Sequence, residues 1–322
     1  MGETRPLVLI LTEGNDSTAS FVEEKLRSRS VPYVRIDTES LLEQLALHVD
    51  PASPSTSTLS WRGETFSLES LTGVWYRRAA KPKAPDGFTA EEATLAARET
   101  LNGLWGALLV YPGKAGWIST PDAITQADFK IEQLSRAAEF GLRTPNTIVT
   151  SCAEDACTFI RTQGKVIAKA VFEGYAEVDG AKTVTWTSIV SEDAVRGKSL
   201  AIPMIFQKAI NPKTDVRVTV IDDRLWSALV SYEPSDSPAG IDWRASSGVA
   251  RSEAIHLDGS TASALIRLVR SYGLRFGAVD LAREPDGTTY FLELNAVGEW
   301  GWLELEAGLP LRDALIDALT QA

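Results

Sequence analysis

A mixed α/β chain folded as two or three lobes is the class that this sequence predicts, and three observations predict it. The opening, Leu7 to Asp37, runs apolar strand, helix, strand, the β-α-β order that places two strands in parallel. Later runs rich in Val, Ile, Phe and Tyr are joined by short polar turns, the mark of antiparallel hairpins. At 322 residues the chain also exceeds what one small core needs, so its apolar residues can fill more than one lobe.

Leu7 to Leu11 reads as the first strand, Thr12-Glu13-Gly14-Asn15-Asp16 as a loop, and Ser17 or Thr18 as the start of a helix leading to the strand Tyr33 to Asp37. The first turn lacks GxGxxG, so a dinucleotide site of the Rossmann kind is not supported. Pro51 to Thr58 reads as a loop and Leu59 to Leu68 as a hairpin about Arg62-Gly63. Gly73 to Arg78 is a strand ending in two arginines, which taken alone reads as a solvated strand terminus. Thr89 to Val110 is a long helix with Leu101, Leu104, Trp105 and Leu108 at helical spacing.

A new unit begins near Ser119. From Thr125 one helix is read, with Ile131, Leu134 and Ala138 on one side, ended by Gly141 and Pro145. A short helix at Glu154 to Arg161, the strand Lys165 to Ala170, a β-rich stretch Val184 to Ile189 and the strand at Ile202 to Ile210 follow. Thr214 to Ile221 and Arg224 to Tyr232 form a hairpin through Asp222-Asp223. A helix from Ser260 carries Leu265, Leu268, Val269 and Tyr272, and Pro310 to Ala318 is a last amphipathic helix.

Composition narrows the function. A formal charge of −11 opposes unassisted nucleic-acid binding, which depends on neutralising phosphates. No apolar run approaches a membrane span, and the start lacks a secretory signal, so the expected compartment is the cytoplasm. Cys152 and Cys157 cannot make a disulfide framework, and with His48 and His256 they form no convincing zinc or haem set.

The chemistry concentrates in the last hairpin, Phe276 to Ala282 and Tyr290 to Trp302, joined by Glu284-Pro285-Asp286-Gly287. With strict alternation Phe291, Glu293 and Asn295 share one face and Leu292 and Leu294 the other. If Glu284 and Thr289 close the turn, Asp280 falls opposite Glu293. Two carboxylates so placed repel unless a cation or proton lies between them, and the Asn295 oxygen suggests a hard cation such as Mg2+. The plain alternative is a solvated hairpin face. Lys169, inside the run VIAKAV, needs an acidic partner or a site edge. Asp215 and Arg217 share a strand face and could pair weakly.

These residues, in the order Lys130, Lys169, Asp215-x-Arg217, Asp280, Glu293-x-Asn295, resemble the ATP-grasp ligases. The resemblance implies an ATP-grasp fold with an N-terminal pre-ATP-grasp domain at 1–118, a central subdomain at 119–205 and a C-terminal subdomain at 206–322, nucleotide lying between the last two. It further implies ATP and Mg2+ as cofactors, with Asp280, Glu293 and Asn295 on the metal. Lys130 and Lys169 would reach phosphates, and the loop carrying Glu173 would fold over them. Only one glycine stands in that loop, Gly174, so no backbone cradle of the P-loop sort is readable. Gln207 and the backbone of Lys208, Ala209 and Ile210 would hold adenine. Arg217 would meet the γ-phosphate, oriented by Asp215.

Trp75-x-Arg77-Arg78, Asp242-Trp243-Arg244 and Glu293-x-Asn295-x-x-Gly298-x-Trp300 are similar to the microviridin-type, or graspetide, peptide maturases. That resemblance implies a macrocyclase that joins Asp or Glu side chains of a ribosomal precursor peptide to Thr or Ser hydroxyls or Lys amines. Arg244 would be a second phosphate- or substrate-binding arginine, the enzyme a homodimer, and Val178 to Ile189 a candidate leader-binding region. Two other readings remain: a ligase that adds amino acids, of the glutamate-ligase or glutathione-synthase type, and a non-catalytic ATP-binding scaffold.

Overall fold

β1 (Leu7–Thr12) is apolar at nearly every position because both of its faces are covered. Val8 and Ile10 enter one core and Leu7, Leu9 and Leu11 another. The computed structural model describes residues 7–113, 116–172, 175–178, 181–184, 187–232 and 250–321. α1 (Ser17–Ser28) follows, started by Asp16, whose carboxylate accepts from the amides of Thr18 and Ala19. β2 (Tyr33–Asp37) then runs parallel to β1. After the single turn α2 (Leu41–Gln44), an antiparallel meander forms from β3 (Leu45–His48), β4 (Thr58–Trp61) and β5 (Glu64–Ser67). The hairpin about Arg62-Gly63 is therefore present, and β3 adds a strand that the sequence pattern left unmarked. β6 (Leu71–Tyr76) lies on the other side of β1, and α3 (Ala90–Leu108) begins in a capping box between Thr89 and Glu92.

The next segment differs from its sequence reading. Instead of one helix from Thr125 there are two, α4 (Pro121–Ala127) and α5 (Lys130–Glu139), separated at Asp128 and Phe129. Phe129 adopts an extended conformation as the N-cap of α5. The buried face of α5 is Gln133 and Ala137, while Ile131 is half exposed.

Central strands β7 (Thr147–Thr150), β8 (Val166–Ala170), the hairpin β9 (Tyr175–Val178) and β10 (Ala181–Val184), β11 (Ser188–Val190) and β12 (Met204–Lys208) are accompanied by α6 (Ala153–Gln163) and α7 (Glu192–Val195). Four of the strands make an antiparallel sheet in the order β11-β8-β12-β7. Ala156, Phe159 and Ile160 of α6 pack on Val166, Ala168 and Phe206. The opposite strand face, with Ile167, Lys169, Ile205 and Gln207, is left to a different neighbour. β12 stays in this sheet to Lys208, so residue 205 falls within a strand.

The C-terminal strands are β13 (Thr214–Ile221), β14 (Arg224–Tyr232), β15 (Ala250–Ile255), β16 (Phe276–Arg283) and β17 (Thr289–Asn295), in the order β15-β14-β13-β16-β17. α8 (Gly259–Ser271) covers one face together with α4 and α5. α9 (Gly301–Ala307) leads to α10 (Leu311–Thr320), which returns to the first sheet, with Leu315 and Leu319 beside Val8 and Ile10. Gly73 of β6 passes so close to the carbonyl of Leu319 that a side chain there has no room. Among the described residues no helix is long and apolar enough to cross a membrane.

Candidate active site

The floor of the site is a row across three adjacent strands. Arg217 on β13 stands opposite Asp280 on β16, and Asp280 opposite Glu293 on β17. Arg217 and Asp280 form an ion pair, both largely but not wholly covered. Asn295 lies two residues on from Glu293, paired with Ala278.

The facing of Asp280 and Glu293 arises differently from the sequence argument. The hairpin closes one residue earlier than expected, with Arg283 opposite Thr289, Ala282 opposite Tyr290 and Leu281 opposite Phe291. An extra residue, Leu292, is then accommodated as a bulge, and the pairing resumes with Asp280 opposite Glu293. The bulge also resets the alternation. Phe291 and Leu294 both enter the core, so Phe291 does not share the face of Glu293 and Asn295.

Asp215 has a cation other than the Arg217 it is expected to orient. It pairs with Lys213 at the start of β13, and the carboxylate on Arg217 is that of Asp280. A direct neighbour across the ladder is nearer than the residue two positions along the same strand, which explains the choice.

α5 brings a cation to the other carboxylate. Lys130, in its first turn, places Nζ 3.8 Å from Glu293 Oε2. Gln133, one turn further along the same helix face, is buried and hydrogen-bonded to the backbone of Leu294, between Glu293 and Asn295. Nothing in the local sequence marked Gln133 beyond its i+3 spacing from Lys130.

Of the nucleotide-binding residues expected in the central lobe, Lys169 and Gln207 share the sheet face turned away from α6. Gln207 is buried, and its Nε2 donates to Thr147 Oγ1 at 2.8 Å. The amides of Lys208 and Ala209 are engaged by the carbonyls of Asn146 and Lys165, both at 2.9 Å. Two of the three amides expected to face a base are thus already bonded. Glu173 and Arg244 lie outside the described residues, as does part of the stretch Val178 to Ile189.

The N-terminal lobe buttresses the loop after β17. Arg77 is only 1% exposed, contrary to the solvated strand end its sequence context suggested. Its Nε donates to Asp16 Oδ2 at 2.8 Å, and Nη1 donates to the carbonyls of Val297 and Gly298 at 3.1 and 3.0 Å. Nη2 lies 2.7 Å from Glu299 Oε1, an ion pair without hydrogen-bond geometry. Arg78, half exposed and with φ of 44°, reaches the same carboxylate. Thr18 Oγ1 donates to Glu299 Oε2. Gly298 is needed where the loop folds back, since a Cβ would lie 2.6 Å from that of Ala278.

Comparison with known proteins bears on the fold that carries this site. Residues 7–124 match the family model described as the MvdD pre-ATP grasp domain. A RiPP-associated ATP-grasp ligase of Chryseobacterium gregarium, solved with ADP and a leader and core peptide, superposes with a TM-score of 0.84. It is 27% identical, covering 98% of this chain and 97% of its own. The chain is an ATP-dependent ligase with the ATP-grasp fold. Macrocyclase MdnB from Microcystis aeruginosa MRC is 26% identical to the ligase, with a TM-score of 0.76 over 98% of this chain and 100% of that one. The ATP-grasp ligase PsnB, solved with minimal precursor, Mg and ADP, is 25% identical with a TM-score of 0.74, covering 98% of each chain. No curated protein matches the sequence.

The donor set of the ligase fits Mg2+. Such an ion takes one or two protein carboxylates and completes its octahedron from phosphate and water oxygens. Asp280 and Glu293 supply two carboxylates, and Asn295 an amide oxygen that also accepts from the Val297 amide at 3.0 Å. Among the described residues no group of three or more His, Cys, Asp or Glu forms an alternative cage.

Proposed function

We propose that the ligase closes macrocycles within a ribosomally made precursor peptide, activating Asp or Glu side chains with ATP and passing them to Thr or Ser hydroxyls or Lys amines. The observation that carries this reading is the row Arg217, Asp280, Glu293 with Lys130 at its end, a run of alternating charge on a sheet floor. Support for a peptide as substrate comes from the similar ligases, which hold precursor peptides.

A carboxylate is a poor electrophile. In the proposed reaction its oxygen attacks the γ-phosphorus, the bond from that phosphorus to the β–γ bridging oxygen breaks, and ADP leaves. The acyl phosphate so formed is attacked at its carbonyl carbon by a hydroxyl or amine, which loses a proton as inorganic phosphate departs. Arg217 faces the charge that grows on the transferred group, its guanidinium already held by Asp280 and needing little reorganisation. Mg2+, held by Asp280, Glu293 and Asn295, would supply charge neutralisation at the phosphates. Lys130 and Lys169 are assigned to phosphate oxygens, Gln207 and Ile210 to adenine. Lys208 and Ala209 are left to offer carbonyls, since their amides are bonded elsewhere. Arg244 and Glu173 remain assigned as implied by the resemblance.

We place the three lobes at 1–118, 119–205 and 206–322, with β12 carrying the central sheet a few residues beyond the second boundary. The free thiols Cys152 and Cys157 agree with a reducing, cytoplasmic setting. Val178 to Ile189 is retained as the leader-binding candidate. A homodimer is proposed because Leu95 and Val110, at 52% and 55% exposure, leave apolar surface along and just beyond α3. Light scattering after gel filtration at micromolar concentration should give the mass of two chains, and the mass of one would reject it.

The test of function is incubation with ATP, Mg2+ and a peptide rich in Thr, Ser, Asp and Glu encoded beside the ligase. Each link should consume one ATP, yield ADP and phosphate, and leave the peptide lighter by one water. A product heavier by an amino acid would favour the amino-acid-adding ligase. Nucleotide binding without ADP formation with any candidate peptide would favour the scaffold.

A further inference from the structure

We propose that Gln133 is a positioning residue for the metal-binding strand, its carboxamide setting the spacing between Lys130 and the pair Glu293 and Asn295. This rests on the nucleotide reading above and deepens it.

β17 is the last strand of its sheet, bonded to β16 on one side only. At Leu294 the free side is buried, so its backbone amide and carbonyl require partners that no strand supplies. Gln133 provides both. Its Oε1 accepts from the Leu294 amide at 2.9 Å and its Nε2 donates to the Leu294 carbonyl at 2.8 Å, as a neighbouring strand would. The other hydrogen of Nε2 goes to the carbonyl of Ala127 at the end of α4. These three bonds fix the orientation of the carboxamide, because rotating it by half a turn would set like against like at every contact.

Residues of similar size or chemistry do not reproduce the three bonds. Methionine offers no such bonds, ionised glutamate loses the donors, and asparagine is a methylene short. Glu293 and Asn295 flank Leu294 and point to the other face, so displacing the Leu294 backbone displaces both. Lys130 sits in the same helix one turn earlier, with Nζ 3.8 Å from Glu293. Helix and strand therefore move as one body, and the cation and the metal oxygens keep a fixed separation.

The experiment measures ADP affinity by calorimetry in Mg2+ and in EDTA. Gln133→Met is expected to lower the gain in affinity due to Mg2+ by about tenfold, 1.4 kcal/mol, while affinity in EDTA stays within about twofold of the parent. Gln133→Glu keeps the volume and the acceptor for the Leu294 amide, and decides the matter should the methionine variant fail to fold. Tyr272→Phe serves as control. It removes the bond from Tyr272 to Glu132 on the α8 side of the same helix, and should lower the melting temperature without changing the Mg2+ gain. An undiminished gain in the Gln133 variants, or an equal loss in Tyr272→Phe, would overturn the inference. A parent protein with no Mg2+ gain would instead strike at the nucleotide reading.

Discussion

Arg77→Ala is expected to cost about 3–5 kcal/mol of stability, because it strands the Asp16 carboxylate in a dry site and releases two carbonyls of the loop after β17. Arg78→Ala should cost under about 1 kcal/mol, since that side chain is half exposed and its partner Glu299 is also reached from Arg77 and Thr18. Denaturant titration of both variants checks the contrast, and equal losses would show that burial of Arg77 does not matter. Acid should erase the difference. Burial pushes the Asp16 carboxyl up, but the Arg77 charge, the Thr12 hydroxyl and the Ala19 amide together hold it below its ordinary 3.8. A carboxylate with a depressed folded value stabilises fully above its unfolded value and loses that contribution as pH falls through the folded one. The gap between parent and Arg77→Ala should therefore narrow below about pH 4. A gap constant down to pH 2 would assign the loss to packing instead.

Arg217→Ala should fold and bind ATP yet form product about 10²–10³-fold more slowly, the usual effect of removing one preorganised donor from a developing anion. The side chain sits on a strand whose apolar neighbours Val216 and Val218 carry the packing, so the loss falls on chemistry. Arg217→Lys keeps the charge without the planar fork and should recover only part of the rate. Single-turnover measurement with a cognate peptide separates the step from product release. Full activity in the alanine variant would remove Arg217 from the mechanism.

Much of this arrangement was legible in the chain because strand period and turn composition act locally. The opposition of Asp280 and Glu293 followed from the turn at Glu284 to Gly287, although two compensating departures, an earlier closure and a bulge at Leu292, produce it. A bulge is chosen by what the neighbouring strand and core accept, and its residues need no special type. Gln133, Asp16 and Glu299 carry no local signal in the sequence for a related reason. Their partners lie far along the chain, at Leu294, Arg77 and Arg78, and a polar residue bonded to distant backbone looks in sequence like one bonded to water. The buried face of α5 departs from helical periodicity on the same account, because a glutamine satisfying a sheet edge takes the place where periodicity favours an aliphatic side chain.

The return of α10 to β1 and β6 has a bearing on how the protein is made. The first strands emerge from the ribosome long before Leu315 and Leu319, yet these two side chains complete the core that Val8 and Ile10 begin. Until α10 has been made, that face of the sheet is covered only in part, by Ala19, Val22 and Leu26 of α1, and β1 and β6 become fully native only when α10 arrives.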